Sequence, residues 1–324
     1  MSLLFLRGQY PSFRPDRLVY NKIDKCEDVW TVLAERLSRH LGKTQVKYWG
    51  APKPNKNKLT KHFADVWVDG KFKPVKKGKW DYIIARGGFK EYDVVVKGSG
   101  SKLIYYGAGT RYYPKGNLYK NYHLILVDTE KQARIVRKKM PGVRVKVIPK
   151  PAAPMFKPVP CGVKYDICFP ANPAEFKGHK ELFKILSGTS LTVLCIGIKD
   201  KKLIKMAKVM KVNATFSGWH RRHHLPTLYS TCRVGLVLTH GNRDSCPRVI
   251  PEMIACDLPV VTADYVNVSS LHINKYTGAK VPLEQVVRKI NRFINGNLKP
   301  REYYKNNLTV DIVAEKLAGI LKEL

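Results

Sequence analysis

The residues best placed to do chemistry lie in one stretch, 241–262, GNRDSCPRVIPEMIACDLPVVT. Two carboxylates, Asp244 and Glu252, stand there with seven residues between them. A carboxylate offers two acceptor oxygens, which suits neighbouring hydroxyls of a ribose or a hexose. Between the two, Pro247 is expected at or near the first turn of a helix, because a proline there gives up an N–H that has no intrahelical partner. The backbone N–H groups of Arg248 and Val249 are then left for an anion, and the helix dipole favours one. A nucleotide diphosphate suits this combination. The plainer alternative is an ordinary amphipathic helix between two strands.

The elements that must position these groups alternate. In the second half, strands are expected to Phe169, over Leu191–Ile196, Ala214–Ser217, Val234–Leu238 and Val260–Thr262. Helices are expected over His179–Leu186, Lys202–Met210, up to Tyr229, Leu283–Ile294 and Val310–Leu321. Such alternation means a parallel sheet covered on both faces. The first half begins with a buried strand, Leu3–Leu6, ending near Gly8, where a backbone can approach a ligand or merely turn. Val29, Trp30, Leu33, Leu37 and Leu41 share one helix face, which Gly42 ends. Strands over Gln45–Trp49, Tyr82–Ala85, Leu103–Tyr106, Tyr122–Val127 and Val145–Ile148 and a helix over Glu130–Lys139 complete this half. Pro149, Pro151, Pro154, Pro158 and Pro160 make a stiff linker that divides a domain over 1–150 from one over 151–324.

Charge is the outstanding compositional fact: 59 Lys and Arg against 25 Asp and Glu leave +34 on 324 residues. A chain so basic repels itself unless a polyanion relieves it, which points to nucleic acid first and an anionic membrane second. From Lys43 to Lys79 there are 11 Lys and two acidic residues, interleaved with Tyr48, Trp49, Phe63, Trp67, Phe72 and Trp80. As an insertion over about 50–80, its Lys56, Lys58 and Lys61 would neutralise phosphates while Trp67 stacks on an unpaired base. The same composition also fits a solvated loop whose aromatics tuck into the first domain; the whole-chain charge favours binding. Two strands end in glycine-rich sequence at the edge where open sheets place ligands, and each is followed by an arginine, Arg86 or Arg111, that could contact an acceptor or a phosphate.

Neither glycine-rich segment is a dinucleotide fingerprint or a P-loop. The seven cysteines (Cys26, Cys161, Cys168, Cys195, Cys232, Cys246, Cys256) form no CxxC pair and no zinc spacing, which suggests reduced thiols in a cytoplasm, a host's if the chain is viral. His220, Arg221, Arg222, His223 and His224 read as a basic surface turn rather than a metal site, and no metal ligands are assigned. The opening, mostly apolar stretch from Met1 to Leu6 is too short for a signal peptide core, and no run reaches the length of a membrane span.

The stretch around Asp244 and Glu252 resembles the donor-site signature of the family 4 retaining glycosyltransferases of GT-B fold: an acidic residue, seven others, a Glu, a small-residue helix and a strand of the form LPVV. The family commonly has Glu where Asp244 stands, a non-proline at Pro251 and Gly at Asp257; Pro251 is expected to cost a helical hydrogen bond and distort the turn. VKVIPKPAAPMFKP resembles the family's crossing between domains. The resemblance implies two Rossmann-like domains facing a cleft, with the last helix packed back on the first. It also implies a nucleotide-sugar donor, UDP-glucose by analogy, with no bound cofactor. Lys177, followed by Gly178, would place its ammonium on the diphosphate. Asn172 stands where the family often carries an Arg, leaving more of that duty to Arg248. After Gly218 the family holds the nucleotide base, on which Trp219 could stack. Gly8, Cys246 and Val249 complete the implied donor site. Lys177, Asp244, Arg248 and Glu252 are the groups expected to stabilise the reacting donor, with no protein general base.

The charge suggests the acceptor. At +34 the chain resembles phage-type enzymes that glycosylate hydroxymethylated bases in double-stranded DNA. A lipid-linked or cell-surface glycan at an anionic membrane is the alternative acceptor. A nucleic-acid-binding protein on a decayed scaffold is the alternative without catalysis. No protein partner is implied.

Overall fold

The computed structural model describes residues 1–7, 29–49, 64–69, 75–86, 97–107, 116–197, 199–240 and 244–324. Gly8, Lys56, Lys58, Lys61 and Arg111 lie outside them, as does the polar segment after the first strand. Trp67 falls in a described strand, where its Cα pairs with that of Lys47.

The chain forms two units, Met1–Pro154 with Val310–Leu324, and Met155–Thr309. Each is a parallel sheet with helices, the arrangement of the GT-B fold. In the first unit seven strands are ordered β3-β2-β1-β4-β5-β6-β7: β1 Leu3–Arg7, β2 Thr44–Trp49, β3 Ala64–Asp69, β4 Tyr82–Arg86, β5 Lys102–Tyr106, β6 Leu124–Val127 and β7 Val145–Val147. β1 is central and wholly apolar apart from Arg7 because it is covered on both faces; Leu3, Leu4, Phe5 and Leu6 are at most 1% exposed. Helix Val29–Leu41 turns Trp30, Leu33 and Leu37 inward, and helix Val310–Lys322 packs against it with Val313, Ala314 and Leu317 buried. The polar ends of this pair are joined by Arg36 and Arg39 to Asp311.

The lysine-rich segment after β2 is not simply an insertion. Ala64–Asp69 within it is the edge strand β3, parallel to β2. Trp80 is a core residue rather than a stacking platform: it is 4% exposed and packs with Leu4, Ile83, Tyr105 and Tyr122. The ammonium groups of Lys43 and Lys79 lie 5.7 and 5.9 Å from its ring. An indole is too large an apolar surface to leave in water when a core is adjacent.

In the second unit six strands are ordered β10-β9-β8-β11-β12-β13: β8 Tyr165–Pro170, β9 Thr192–Ile196, β10 Asn213–Gly218, β11 Cys232–Val237, β12 Val260–Ala263 and β13 Gly278–Val281. The strand order reverses between β8 and β11, so the loops leaving these neighbours diverge to opposite sides and open a crevice at the carboxyl edge. Helices His179–Leu186, Lys201–Val209, Leu225–Ser230, Val249–Ala255 and Val286–Ile294 lie between strands or after them, and Pro300–Asn307 follows. Among the described residues no helix is long and apolar enough to cross a membrane.

Candidate active site

The switch point carries the first pair of groups. The loop after β8 ends in a short 3-10 turn, Glu175–Lys177, and the loop after β11 leads to Asp244. Lys177 Nζ donates to Asp244 Oδ2 at 2.8 Å, with side chains 17% and 28% exposed, so one ion pair bridges the two diverging loops. Gly178 makes this possible. Its φ is +85°, and a Cβ there would lie 2.6 Å from the Cβ and carbonyl oxygen of Leu238. Only glycine lets the start of helix His179–Leu186 press this closely on the end of β11. Asn172, in place of the family's arginine, accepts the Ala174 N–H at 3.3 Å and serves the turn instead.

The motif helix begins two residues after Pro247. Val249 is its first residue and Arg248, exposed, its N-cap, so Pro247 precedes the helix rather than opening it. The Ile250 N–H donates to the Pro247 carbonyl at 3.0 Å. Pro251 is then the third helical residue, where an N–H has no intrahelical acceptor, and the expected loss of a helical bond does not occur. Cys246 is fully buried with φ +53°; its N–H donates to the Asn267 carbonyl at 2.8 Å and its sulfur lies 3.5 Å from His272 Nδ1. Val249 is half-buried.

Glu252 is 4% exposed, and both its oxygens meet protein donors. Arg222 pairs with Oε1, and the Tyr229 hydroxyl donates to Oε2 at 3.3 Å. Burial first, and then the Glu252 charge, push the Tyr229 phenol well above its ordinary range, so it remains a donor. Sequence reasoning missed Arg222: within HRRHH it reads as part of a surface turn, yet its side chain is 22% exposed and turned onto a carboxylate 30 positions on. Nothing local to the sequence marks that contact. Gly218, with φ +84°, ends β10, and Trp219 follows it 63% exposed. Lys177 and Asp244 thus meet directly, while Glu252 is engaged with Arg222 and Tyr229. Among the described residues no cluster of three His, Cys, Asp or Glu side chains could hold a metal ion.

The carboxyl edge of the first unit has its own polar cluster. Arg86 ends β4 with its guanidinium carbon 3.7 Å from the centroid of the Trp30 ring and 5.5 Å from that of Tyr106. The Tyr106 hydroxyl donates to Asp128 Oδ1 at 3.0 Å, and Lys150 Nζ lies 3.0 Å from Asp128 Oδ2 with both side chains buried. A buried pair holds only when its remaining lone pairs are also satisfied, and Tyr106 does this.

Residues 162–309 match the family model for glycosyl transferases, group 1. No curated protein matches the chain. Among solved structures it is similar to a glycosyltransferase from Rickettsia africae, at 15% identity and a TM-score of 0.74 over 99% of this chain and 98% of that one. It is also similar to Anabaena Alr3699/HepE, solved with UDP and glucose, at 14% identity and a TM-score of 0.70 over the whole of both chains. The lipopolysaccharide outer core galactosyltransferase WaaB aligns over the whole of both chains too, at 13% identity and a TM-score of 0.68. Fold and match together define the class: this is a glycosyltransferase of GT-B fold. Its second unit carries the group 1 glycosyltransferase domain, over residues 162–309.

Proposed function

We propose that the donor binds at the carboxyl edge of the second unit and that its sugar, glucose from UDP-glucose, passes to a hydroxymethylated base in double-stranded DNA. The observation that supports the donor site is the Lys177–Asp244 pair across the β8/β11 switch point. A diphosphate arriving there draws the ammonium from Asp244 and leaves that carboxylate to accept hexose hydroxyls. Lys177 and Arg248 stabilise the departing diphosphate, and Glu252 accepts the ribose hydroxyls. Trp219 stacks on the base beside Gly218, while Gly178, Cys246 and Val249 shape the loops. The bond from the anomeric carbon to the phosphate oxygen breaks as the bond to the acceptor oxygen forms on the same face. The acceptor proton passes to the departing phosphate, so no protein base is named. The relative solved with UDP and glucose supports this choice of donor.

The acceptor is inferred from charge. A net +34 suits a polyanion, with Arg86, Arg111, Lys56, Lys58, Lys61 and Trp67 as its contacts, in a cytoplasm. A second reading, a lipid-linked or cell-surface glycan at an anionic membrane, is favoured by the likeness to WaaB.

Thermal stabilisation by UDP, GDP and ADP tests the donor site. A ligand at a hundred times its Kd contributes about 2.7 kcal/mol, an effect expected with UDP and absent in Lys177→Ala. Radiolabelled sugar transfer then separates the acceptors, with hydroxymethylated duplex DNA expected to be labelled in preference to lipid-linked glycan in anionic vesicles. Binding to the DNA should fall on the order of a thousandfold between 50 and 200 mM salt for six or more phosphate contacts. Labelling of the vesicles alone would replace the DNA reading by the second.

A further inference from the structure

Four residues from separate parts of the second unit close a ring. Phe156 lies in the linker, Arg222 in the turn after β10, Tyr229 on helix Leu225–Ser230 and Glu252 on the motif helix. The Arg222 guanidinium lies 5.4 Å from the Phe156 ring, Phe156 stacks on Tyr229 at 6.1 Å and 23°, and Arg222 and Tyr229 each hold one Glu252 oxygen. Phe156 and Tyr229 are at most 1% exposed, so the ring has a rigid side. A carboxylate 4% exposed needs a counter-charge, and Arg222 provides it.

The arrangement has a directional result. Each carboxylate oxygen carries two lone-pair positions. Among the described residues Arg222 takes one on Oε1 and Tyr229 takes one on Oε2, so neither donor uses the second position of its oxygen. The two oxygens of one carboxylate can accept from the two adjacent hydroxyls of a ribose. A guanidinium holds such an orientation better than an ammonium because its donors lie in a fixed plane.

We propose that Arg222 is a positioning residue for the donor, fixing the Glu252 carboxylate so that it accepts the 2′- and 3′-hydroxyls together and thereby selects ribonucleotide over deoxyribonucleotide donors. This rests on the reading of Glu252 as the ribose acceptor. Lys177 and Asp244 form their own pair and serve the other end of the donor.

Titration calorimetry with UDP and with 2′,3′-dideoxy-UDP tests it. The wild type is expected to bind UDP about tenfold or more tightly than the dideoxy form, as charge-assisted hydrogen bonds of this kind warrant. Arg222→Gln should abolish most of that ratio by weakening UDP binding while leaving dideoxy-UDP binding nearly unchanged. Arg222→Lys should restore part of it, and Arg222→Gln with Glu252→Gln should lose no more than Arg222→Gln alone. A purely structural role predicts an equal loss for both ligands, and that result, or an unchanged ratio, overturns the proposal. If Arg222→Gln does not fold, the uncharged double variant and Arg222→Lys decide: an undiminished ratio in both overturns it. A wild type that binds UDP without discrimination also sinks this inference while sparing the donor site. A wild type that binds no nucleotide instead removes the donor reading and this inference with it.

Discussion

Asp257 shows how one residue does two jobs. It lies in the left-handed region at φ +65°, where a glycine would be free of strain, and its Oδ1 accepts the Arg301 N–H at 2.9 Å near the start of helix Pro300–Asn307. Asp is among the few residues that tolerate this backbone, and its carboxylate suits a helix start. Asp257→Ala should lose both advantages and destabilise the protein by about 2 kcal/mol, read by urea unfolding, whereas Asp257→Gly should stay within about 1 kcal/mol of wild type. His179 carries the pH dependence at this scale. Burial against Phe169 and Phe183 lowers its pKa to about 4, with Asp200 and Glu181 opposing. The folded state holds the ring neutral and the unfolded state protonates it near 6.5, so the stability it contributes is present above pH 6.5 and is lost as pH falls towards 4. That loss amounts to about 3 kcal/mol over the window. His179→Phe should flatten the acid limb of stability against pH; an acid limb as steep as that of wild type would refute the assignment. The sequence shows Asp257 as a departure from a glycine position, but not the Arg301 N–H it caps, 44 positions away.

At the scale of elements, the helix starts and strand ends matter most. Gly178→Ala places a Cβ where Leu238 already is and also strains the backbone at φ +85°. It should cost about 2 kcal/mol or more, and it should displace Lys177, so that UDP no longer raises the melting temperature even where the variant is folded. The helices Glu130–Lys139 and His179–Leu186 take the bounds expected from the sequence, and the apolar face from Val29 to Leu41 forms the helix that Gly42 was expected to end. β3 was not legible, because its lysine-rich flanks masked a short alternating strand. β13 was missed for another reason: Gly278–Val281 has a glycine because a Cβ there would lie 1.9 Å from the Val260 carbonyl oxygen, a constraint set wholly by the neighbouring strand. Helix Pro300–Asn307 buries only Pro300 and Tyr304, too little for an apolar stripe to show.

For the whole molecule, burial decides between readings that composition leaves open. Trp80→Ala should destabilise the first unit by about 3–5 kcal/mol, as seen by chemical denaturation, while the folded protein keeps its affinity for polyanions; a selective loss of DNA binding would restore the stacking role. The sequence by itself determined the class of fold, the D-x7-E stretch and the Lys-Gly loop, because these depend on short-range pattern: apolar periodicity and motif residues close along the chain. It also determined the net charge of +34, which no structure changes. The tertiary structure decided which charges meet. Lys177 reaches Asp244 across 67 positions because β8 and β11 are neighbours at the switch point, and Arg222 reaches Glu252 because the chain turns back over the sheet after β10. It also placed Trp80 in a core and the first turn of the motif helix at Val249. Pairing of this kind depends on distance in space, and a carboxylate finds its cation only after the sheet has set the order of its strands.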